Sequence, residues 1–403
     1  MAQIKRAVVA GSIGLDIIPV FGEGGAAGAV NLFAQGKYND MRGTRLYLGG
    51  CVGNTGIAMY KLGTPVTLVS KVGDDLIGEV IRMVLRGQNI PIQIDTVQGM
   101  PSSSTVVIAP PGADRVLLHS RGASQTFVAA DLDETLLRSA SLLHFAYPTA
   151  MRTLYTDEGS EFIALVKRAK ETGITVSVDT SQPDPNSEPG RVNWWHVLER
   201  ALPYIDIFLP SLEELLFMLH RDEYDRLMAA CGGRNPIDFV DFGRIPQLAD
   251  ELIAMGARVV VLKLGKKGLY LRTADSDNLA GIGRALPDNA RDWASRELLF
   301  APYYTRQIRS TTGAGDNAIA GFLTAFLRSD APEHALAVAA ANALRCIESY
   351  ETTDRTVPID ELDAFIAGAP RQEALEGLPE GWRTAASGAL SGRRDRAVEA
   401  QTP

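Results

Sequence analysis

One short segment of the chain combines residue types that could transfer a phosphoryl group. In Ser310–Leu323, two threonines precede Gly313, Ala314, Gly315 and Asp316, and an apolar, helix-like run follows. Small residues let backbone N–H groups approach an anion, and the first turn of a helix leaves several of these groups unpaired. A carboxylate in that turn could accept a proton from an attacking alcohol. The segment predicts an anion site with a base beside it, or a tight turn whose Asp complements the helix dipole.

The same glycines also satisfy a different ligand-binding pattern. Residues 313–318 fit the dinucleotide fingerprint G-x-G-x-x-A, and so do residues 22–27. No helix-like run follows the second match, and the first lies too near the end of the chain for a full dinucleotide-binding half to follow. An NAD-dependent dehydrogenase that uses residues 313–318 therefore stays open as an alternative. The P-loop pattern is absent from the sequence.

Residues in the N-terminal part of the chain could bind the hydroxyls of a sugar. Gly49 and Gly50 allow close backbone approach and Asn54 offers an amide, although a loop before a helix explains the same residues. Asp16 ends the first predicted strand, and ligands of parallel α/β sheets lie beyond the carboxyl ends of strands. Asp16 could therefore accept hydrogen bonds from two hydroxyls, or it is a turn residue.

Three further segments are ambiguous between a nucleotide site and ordinary structure. Ser211 and Glu214 have the spacing of a capping box, and Glu214 could instead orient water on Mg²⁺. Val261–Tyr270 joins two apolar runs through a glycine-containing turn, which predicts a hairpin or the border of a nucleotide. Asn342 lies in a helical run, and it could likewise either border a nucleotide or be an ordinary structural residue.

The elements that must position these residues alternate between strands and helices. Apolar runs predict buried strands at Ala7–Ala10, Val66–Ser70, Ile174–Val178, Ile205–Leu209 and Arg258–Leu264. Amphipathic spacing predicts helices at Leu76–Gln88, Asp157–Thr172, Ser211–Leu219, Pro246–Met255, Ala314–Arg328 and Glu333–Glu348. This alternation indicates an α/β fold with a mostly parallel central sheet covered on both sides.

Some segments depart from the alternation. Residues 15–48 and 91–120 suit a small antiparallel β lid, the second containing a hairpin of Thr105–Ala109 with Arg115–His119. We interpret residues 220–245 and 273–300 as surface insertions. The main domain would span 1–369, and the Ala-, Gly- and Arg-rich residues 370–403 are predicted to be a poorly ordered extension.

Composition excludes several classes of function. The chain has 403 residues and a net charge of −8, which argues against a general nucleic-acid binder. No apolar run approaches the roughly 20 residues that span a bilayer, so we expect no membrane association. Cys51, Cys231 and Cys346 are scattered without metal-ligand spacing, which favours a reduced, cytoplasmic protein.

The order of these motifs resembles the ribokinase-like (PfkB-type) carbohydrate kinases from about Ala7 to about Arg345. Ser310–Leu323 is similar to the C-terminal signature of that family, and Gly49-Gly50 with Asn54 and Val72–Asp75 to its N-terminal signature. The resemblance implies a three-layer sandwich with a β lid, and transfer of the γ-phosphoryl group of ATP to a sugar. A nucleoside kinase of the same fold is the alternative, and pairing through the lids would make a homodimer.

The resemblance also implies a position for each candidate residue. Asp316 would be the base, with Gly313, Ala314 and Gly315 as the anion hole. The sugar would be held by Asp16, Gly49, Gly50 and Asn54. The nucleotide would lie near Ser211, Lys263, Gly265, Gly268 and Asn342, and Glu214 would act through Mg²⁺-bound water.

Four departures from the family pattern surround the substrates. Ser211 replaces Asn in the family's N-x-x-E motif, and Lys263 stands where Thr is frequent, from which it could reach a phosphate. Ser310 replaces a frequent Asp that helps bind a monovalent cation, which argues against potassium dependence. Tyr147 lies close to where some members carry a substrate-binding Glu, and it could line the pocket instead.

Overall fold

The computed structural model describes residues 5–21, 38, 40–109, 116–368, 370–385 and 387–396, which form a central sheet, two helical layers and a small second sheet. The strands are β1 Ala7–Gly11, β2 Gly14–Phe21, β3 Met41–Gly49, β4 Val66–Gly73, β5 Ile92–Val97, β6 Ser104–Ile108, β7 Val116–Ser120, β8 Leu142–Ala146, β9 Thr175–Asp179, β10 Ile207–Phe208, β11 Val259–Lys263, β12 Leu269–Thr273, β13 Glu297–Phe300, β14 Arg383–Thr384 and β15 Leu390–Ser391. The helices are α1 Ile57–Lys61, α2 Leu76–Gly87, α3 Glu134–Ser139, α4 Arg152–Tyr155, α5 Ser160–Glu171, α6 Trp194–Ala201, α7 Leu212–Leu219, α8 Arg221–Cys231, α9 Arg244–Ala254, α10 Ser276–Leu279, α11 Ala314–Leu327, α12 Pro332–Ile347 and α13 Ile359–Ala367.

The central sheet is mostly parallel, as predicted. Its order is β14-β15-β13-β12-β11-β10-β9-β8-β1-β4-β5, and every pair from β11 to β5 is parallel. The strands β1, β8 and β9 are buried on both faces, which explains their continuous apolar runs. Val9 packs into the core on one face and Val8 into the core on the other. Helices therefore cover both sides, and the α/β prediction is confirmed.

The second sheet forms the lid, with the order β3-β2-β6-β7. The predicted hairpin is present as β6 paired with β7, and residues 110–115 between them lie outside the described residues. Two expectations were wrong. β5, inside the proposed lid segment 91–120, is instead the edge strand of the central sheet, and β2 pairs parallel with β6, so the lid sheet is mixed. Residues 22–27, the second dinucleotide match, also lie outside the described residues.

Asp16 does not end the first strand of the central sheet. That strand, β1, ends at Gly11, and the chain continues into β2 of the lid, where Asp16 pairs with Tyr47 and Thr105. The two strands are nearly continuous in sequence, so one apolar pattern covers both. Asp16 therefore belongs to the lid sheet and not to the carboxyl edge of the central sheet.

The C-terminal extension differs from the expectation of poor order. β15 pairs with β13, and β14 with β15, so this segment extends the central sheet. Asp395 is fully buried, and its carboxylate accepts hydrogen bonds from Arg296 Nε and the Glu297 backbone N–H. β13 itself lies in residues 273–300, which are thus partly sheet and not simply a surface insertion. In the part of the chain that the structure describes, no helix is long and apolar enough to cross a bilayer.

Candidate active site

The start of α11 brings the glycine loop and Asp316 together. Gly313 is the N-cap residue with a φ of +76°, a left-handed conformation that a glycine adopts readily. A Cβ atom there would also lie 2.6 Å from Thr352 Cγ2. Asp316 follows in the first helical turn and is buried. The predicted helix start is therefore present, and the glycine loop forms the tight turn that leads into it.

Three side chains from distant parts of the chain donate hydrogen bonds to the Asp316 carboxylate. Asn54 Nδ2 lies 2.9 Å from Oδ2, Thr55 Oγ1 lies 3.1 Å from Oδ1, and the Tyr147 hydroxyl lies 2.5 Å from Oδ1. Asn54 and Thr55 belong to a π-helical turn, Val52–Gly56, directly before α1. Tyr147 directly follows β8. Burial raises the pKa of Asp316, and the three donors and the nearby Lys263 oppose that rise.

Asn54 differs from its expected orientation toward the sugar. Its Oδ1 accepts a hydrogen bond from Thr352 Oγ1 at 2.9 Å, while its Nδ2 faces Asp316. Both polar atoms of the amide therefore have partners in the protein. Thr352, which was not predicted, lies in the loop after α12, and its residue type alone carried no signal.

The double glycine lies against the lid. A Cβ atom on Gly49 would lie 2.8 Å from both carboxylate oxygens of Asp16, so the two predicted residues are neighbours. Gly50 has a φ of +75°, and a Cβ atom there would lie 2.5 Å from the Ser12 carbonyl oxygen. Burial raises the pKa of Asp16, and a hydrogen bond from Thr105 lowers it.

A buried ion pair lies under the other side of the glycine loop. Lys263 Nζ is 2.5 Å from Asp179 Oδ1, and a Cβ atom on Gly315 would lie 3.7 Å from the same nitrogen. Burial alone would lower the pKa of Lys263, but Asp179, Glu214 and Asp316 together raise it. Asp179 was not predicted, although it is the last residue of β9 and the rule that was applied to Asp16 would have found it.

The capping box of Ser211 and Glu214 is present. Ser211 Oγ accepts a hydrogen bond from the Glu214 N–H at 3.3 Å, and Glu214 Oε2 accepts one from the Ser211 N–H at 2.9 Å. The same Oε2 accepts a hydrogen bond from Thr180 Oγ1 at 2.9 Å. The cap interpretation is therefore confirmed, and it holds the Glu214 carboxylate near the Lys263 and Asp179 pair.

The remaining candidates divide between the hairpin and the core. Gly265 and Gly268 border the turn between β11 and β12, each with a positive φ, and a Cβ atom on Gly268 would collide with the Phe300 carbonyl oxygen. Asn342 is fully buried in α12, with Nδ2 donating to the Asn317 carbonyl at 2.9 Å. Its side chain joins α12 to α11, and its place beside the nucleotide stays a prediction.

The chain belongs to the pfkB family of carbohydrate kinases, because the model of that family matches residues 25–359. This assignment favours the kinase interpretation of the glycine loop over the dehydrogenase. It is also an independent confirmation of the resemblance seen in the two signatures.

Curated relatives and solved structures agree with the family. The chain is 22% identical to an uncharacterized sugar kinase of Archaeoglobus fulgidus, over 73% of this chain and 96% of that protein. It is 22% identical to the 5-dehydro-2-deoxygluconokinase of Listeria innocua, over 80% and 87% of the two chains. The structure of Arabidopsis thaliana ribokinase, complexed with ribose and ATP, superposes with a TM-score of 0.64 at 20% identity, covering 90% of this chain and 98% of that one. The fold is therefore that of ribokinase.

Proposed function

We propose that this protein transfers the γ-phosphoryl group of ATP to a hydroxyl of a sugar or sugar derivative, with Asp316 as the base. The observation that carries the proposal is the position of Asp316. It lies buried in the first turn of α11, directly after the glycine loop, and Lys263 lies near it. Phosphoryl transfer requires positioning and charge stabilisation more than covalent catalysis, and this arrangement supplies both.

Some residues of the site would bind the phosphoryl group of ATP, and Asp316 would act on the acceptor. The backbone N–H groups of Gly313, Ala314 and Gly315 would bind the transferring phosphoryl group at the positive end of the α11 dipole. Lys263, close to Gly315, would neutralise charge on the same group. Asp316 would take the proton of the acceptor hydroxyl as the new P–O bond forms.

Magnesium fits the acidic side of the cleft. Glu214 and Asp179 both lie close enough to Lys263 to raise its pKa, so two carboxylates share this region. Oxygen ligands of this kind suit Mg²⁺, which usually keeps several waters. Mg²⁺ would offset the charge of the nucleotide phosphates, and Glu214 would hold it through water.

The lid would bind the acceptor. Asp16 and Gly49 are neighbours between the lid and the start of the π-helical turn, and this supports their assignment to the sugar hydroxyls. Tyr147 would line the same pocket.

We place the protein in the cytoplasm, since Cys51, Cys231 and Cys346 are free and buried, as a reducing compartment allows.

We infer a homodimer that pairs through the lids. Large apolar side chains are exposed on two lid strands, β3 and β7, namely Met41, Leu46, Val116, Leu117 and Leu118. An exposed apolar patch of this kind favours association with a second copy. Light scattering after size exclusion, compared between the wild type and Leu117→Glu, would reveal a dimer that the charge disrupts.

An acceptor screen tests the proposed function. ADP release would be measured with ribose, 5-dehydro-2-deoxygluconate, adenosine and a wider panel of sugars. The first two compounds come from the names of similar proteins, and adenosine represents the nucleoside alternative. We expect turnover with a sugar, whereas a preference for adenosine would favour the nucleoside kinase.

The Asp316→Asn variant tests the base. Loss of a general base typically lowers the rate by about 10²–10⁴-fold, so we expect kcat to fall by that factor. Asp288→Asn is the control, because the Asp288 side chain is 81% exposed and the substitution removes the same charge. Wild-type turnover in Asp316→Asn would refute the assignment.

A further inference from the structure

The two carboxylate oxygens of Asp316 are used unequally by the protein. Oδ1 accepts two hydrogen bonds, from Thr55 Oγ1 at 3.1 Å and from the Tyr147 hydroxyl at 2.5 Å. Oδ2 accepts one, from Asn54 Nδ2 at 2.9 Å. A carboxylate oxygen offers about two lone-pair positions. The described donors therefore saturate Oδ1 and leave one position on Oδ2.

We propose that Tyr147 is a positioning residue for Asp316: together with Thr55 it occupies Oδ1, so that Oδ2 is the oxygen that takes the proton from the acceptor hydroxyl. This inference rests on the proposed function. It gives Tyr147 a role toward the base in addition to its place in the acceptor pocket, and it assigns the proton transfer to a single atom. The proton moves from the acceptor oxygen to Oδ2 as that oxygen bonds to phosphorus.

The backbone supports a functional placement of Tyr147. Its φ is 65° and its ψ is 45°, a left-handed conformation that is uncommon for a bulky residue. Its N–H donates to the Asp179 carbonyl at 3.1 Å, and its carbonyl accepts from the Ala150 N–H at 2.9 Å. These two hydrogen bonds hold the backbone of Tyr147 in the conformation from which its hydroxyl reaches Asp316.

A further hydrogen bond orients Asn54, whose amide donates to Oδ2. Thr352 Oγ1 donates to Asn54 Oδ1 at 2.9 Å, which orients the amide so that its Nδ2 faces Asp316. The carboxylate is thus clamped by the π-helical turn and by the residue after β8. Rotation of the Asp316 carboxylate would exchange its two oxygens, and this rotation would break all three hydrogen bonds.

The titratable groups around Asp316 define the direction of the pH effect. They are Tyr147, Lys263, Asp179, Cys51 and Cys346. Donors favour the ionised carboxylate, which is the form that acts as a base. Removing the Tyr147 hydroxyl should therefore raise the pKa of Asp316 and move the acid limb of the pH profile to higher pH.

Tyr147→Phe tests the proposal, with Tyr270→Phe as the matched control. The Tyr270 hydroxyl also donates to a buried carboxylate, that of Glu297 at 3.0 Å on the neighbouring strand β13, and it makes no hydrogen bond to Asp316. We expect kcat of Tyr147→Phe to fall about tenfold or more, the magnitude of one hydrogen bond to a charged group. The acid limb should move up by about one pH unit, while Tyr270→Phe keeps the wild-type profile.

Two outcomes would overturn the proposal. One is a wild-type kcat and acid limb in Tyr147→Phe. The other is a lower KM for the acceptor with an unchanged limb, which would mean that Tyr147 only occupies the place of the acceptor. Thr55→Val repeats the test on the second Oδ1 donor if Tyr147→Phe fails to fold, with the same expected shift.

The proposal remains testable if the screen finds no acceptor, a result that would count against the proposed function alone. Carboxyl ¹³C NMR titration of Asp316 would then compare the wild type with Tyr147→Phe. A higher pKa in the variant supports the positioning of Oδ1, and an unchanged pKa overturns it.

Discussion

Lys263 and Asp179 form a buried ion pair that bridges β11 and β9 over the end of the short strand β10. Nζ and Oδ1 are 2.5 Å apart, and the two side chains are 12% and 2% exposed. The pair lies directly under Gly315 of the glycine loop. An incoming phosphate would therefore meet a lysine that the protein already holds in place and keeps protonated.

Lys263→Met tests the proposed contact with a phosphate of ATP, and a double variant with Asp179→Asn separates this effect from the stability of the fold. We expect the KM for ATP to rise about tenfold or more, because one charged hydrogen-bond donor is lost. The free energy of unfolding should fall by about 3–5 kcal/mol, since Asp179 remains buried without its partner. The double variant Lys263→Met with Asp179→Asn should regain stability in urea titrations without regaining ATP affinity. A normal KM for ATP in the single variant would argue against the phosphate contact.

Gly49→Ala tests the contact between the glycine pair and the lid. The added methyl group would lie 2.8 Å from both oxygens of Asp16, so the Asp16 carboxylate must move away. We expect the KM for the sugar to rise about tenfold and the KM for ATP to stay within about twofold, as expected of lost contacts to one substrate. Gly87→Ala is the control, because no atom lies within 4 Å of a Cβ atom there. Equal effects on the two substrates would contradict the assignment of Asp16 to the sugar.

Asp395→Ala tests the docking of the C-terminal extension. The substitution leaves the buried Arg296 without one of its two carboxylate partners and frees β15 from the sheet edge. We expect a loss of about 3 kcal/mol in the free energy of unfolding. Glu134→Ala, which breaks the exposed pair with Arg138, should cost about 0.5 kcal/mol or less. Unchanged thermal unfolding of Asp395→Ala would show that the extension adds nothing to stability.

His144 makes stability depend on pH. Burial first, and Lys263 second, lower its pKa to about 3, whereas an unfolded His titrates near 6.5. The unfolded chain therefore binds one more proton between these values, so stability is complete above about pH 6.5 and falls as the pH drops toward 3. In His144→Gln we expect the slope of the free energy of unfolding against pH, between pH 4 and 6, to decrease by about 1.4 kcal/mol per pH unit. Urea titrations at several pH values measure this slope, and an unchanged slope would place the acid sensitivity elsewhere.

Local patterns in the sequence were sufficient for several buried strands, for most of the longer helices and for the glycine loop. The loop, the helix start and Asp316 lie within a few residues of one another, so their relationship follows from chain geometry alone. Buried parallel strands are likewise visible as apolar runs, and Leu76–Gln88 was predicted within one residue of α2. Short elements were less visible: β14 and β15 have two residues each, and an ion pair with Arg296 holds the segment that carries them.

Only the tertiary structure decided which atoms meet at Asp316. Tyr147 and Asp316 are 169 residues apart, and Thr352 and Asn54 are 298 apart. The sequence placed Asn54 near the site but left the direction of its amide open, because that direction depends on partners from two other elements. Asp16 shows the same limit. The sequence predicted a ligand-binding residue at the end of a strand, and only the strand pairing showed that this strand belongs to the lid. Residue types determined which chemistry is available here, and packing determined which oxygen, lysine and hydroxyl face one another, because contacts between distant segments leave no periodic pattern in the chain.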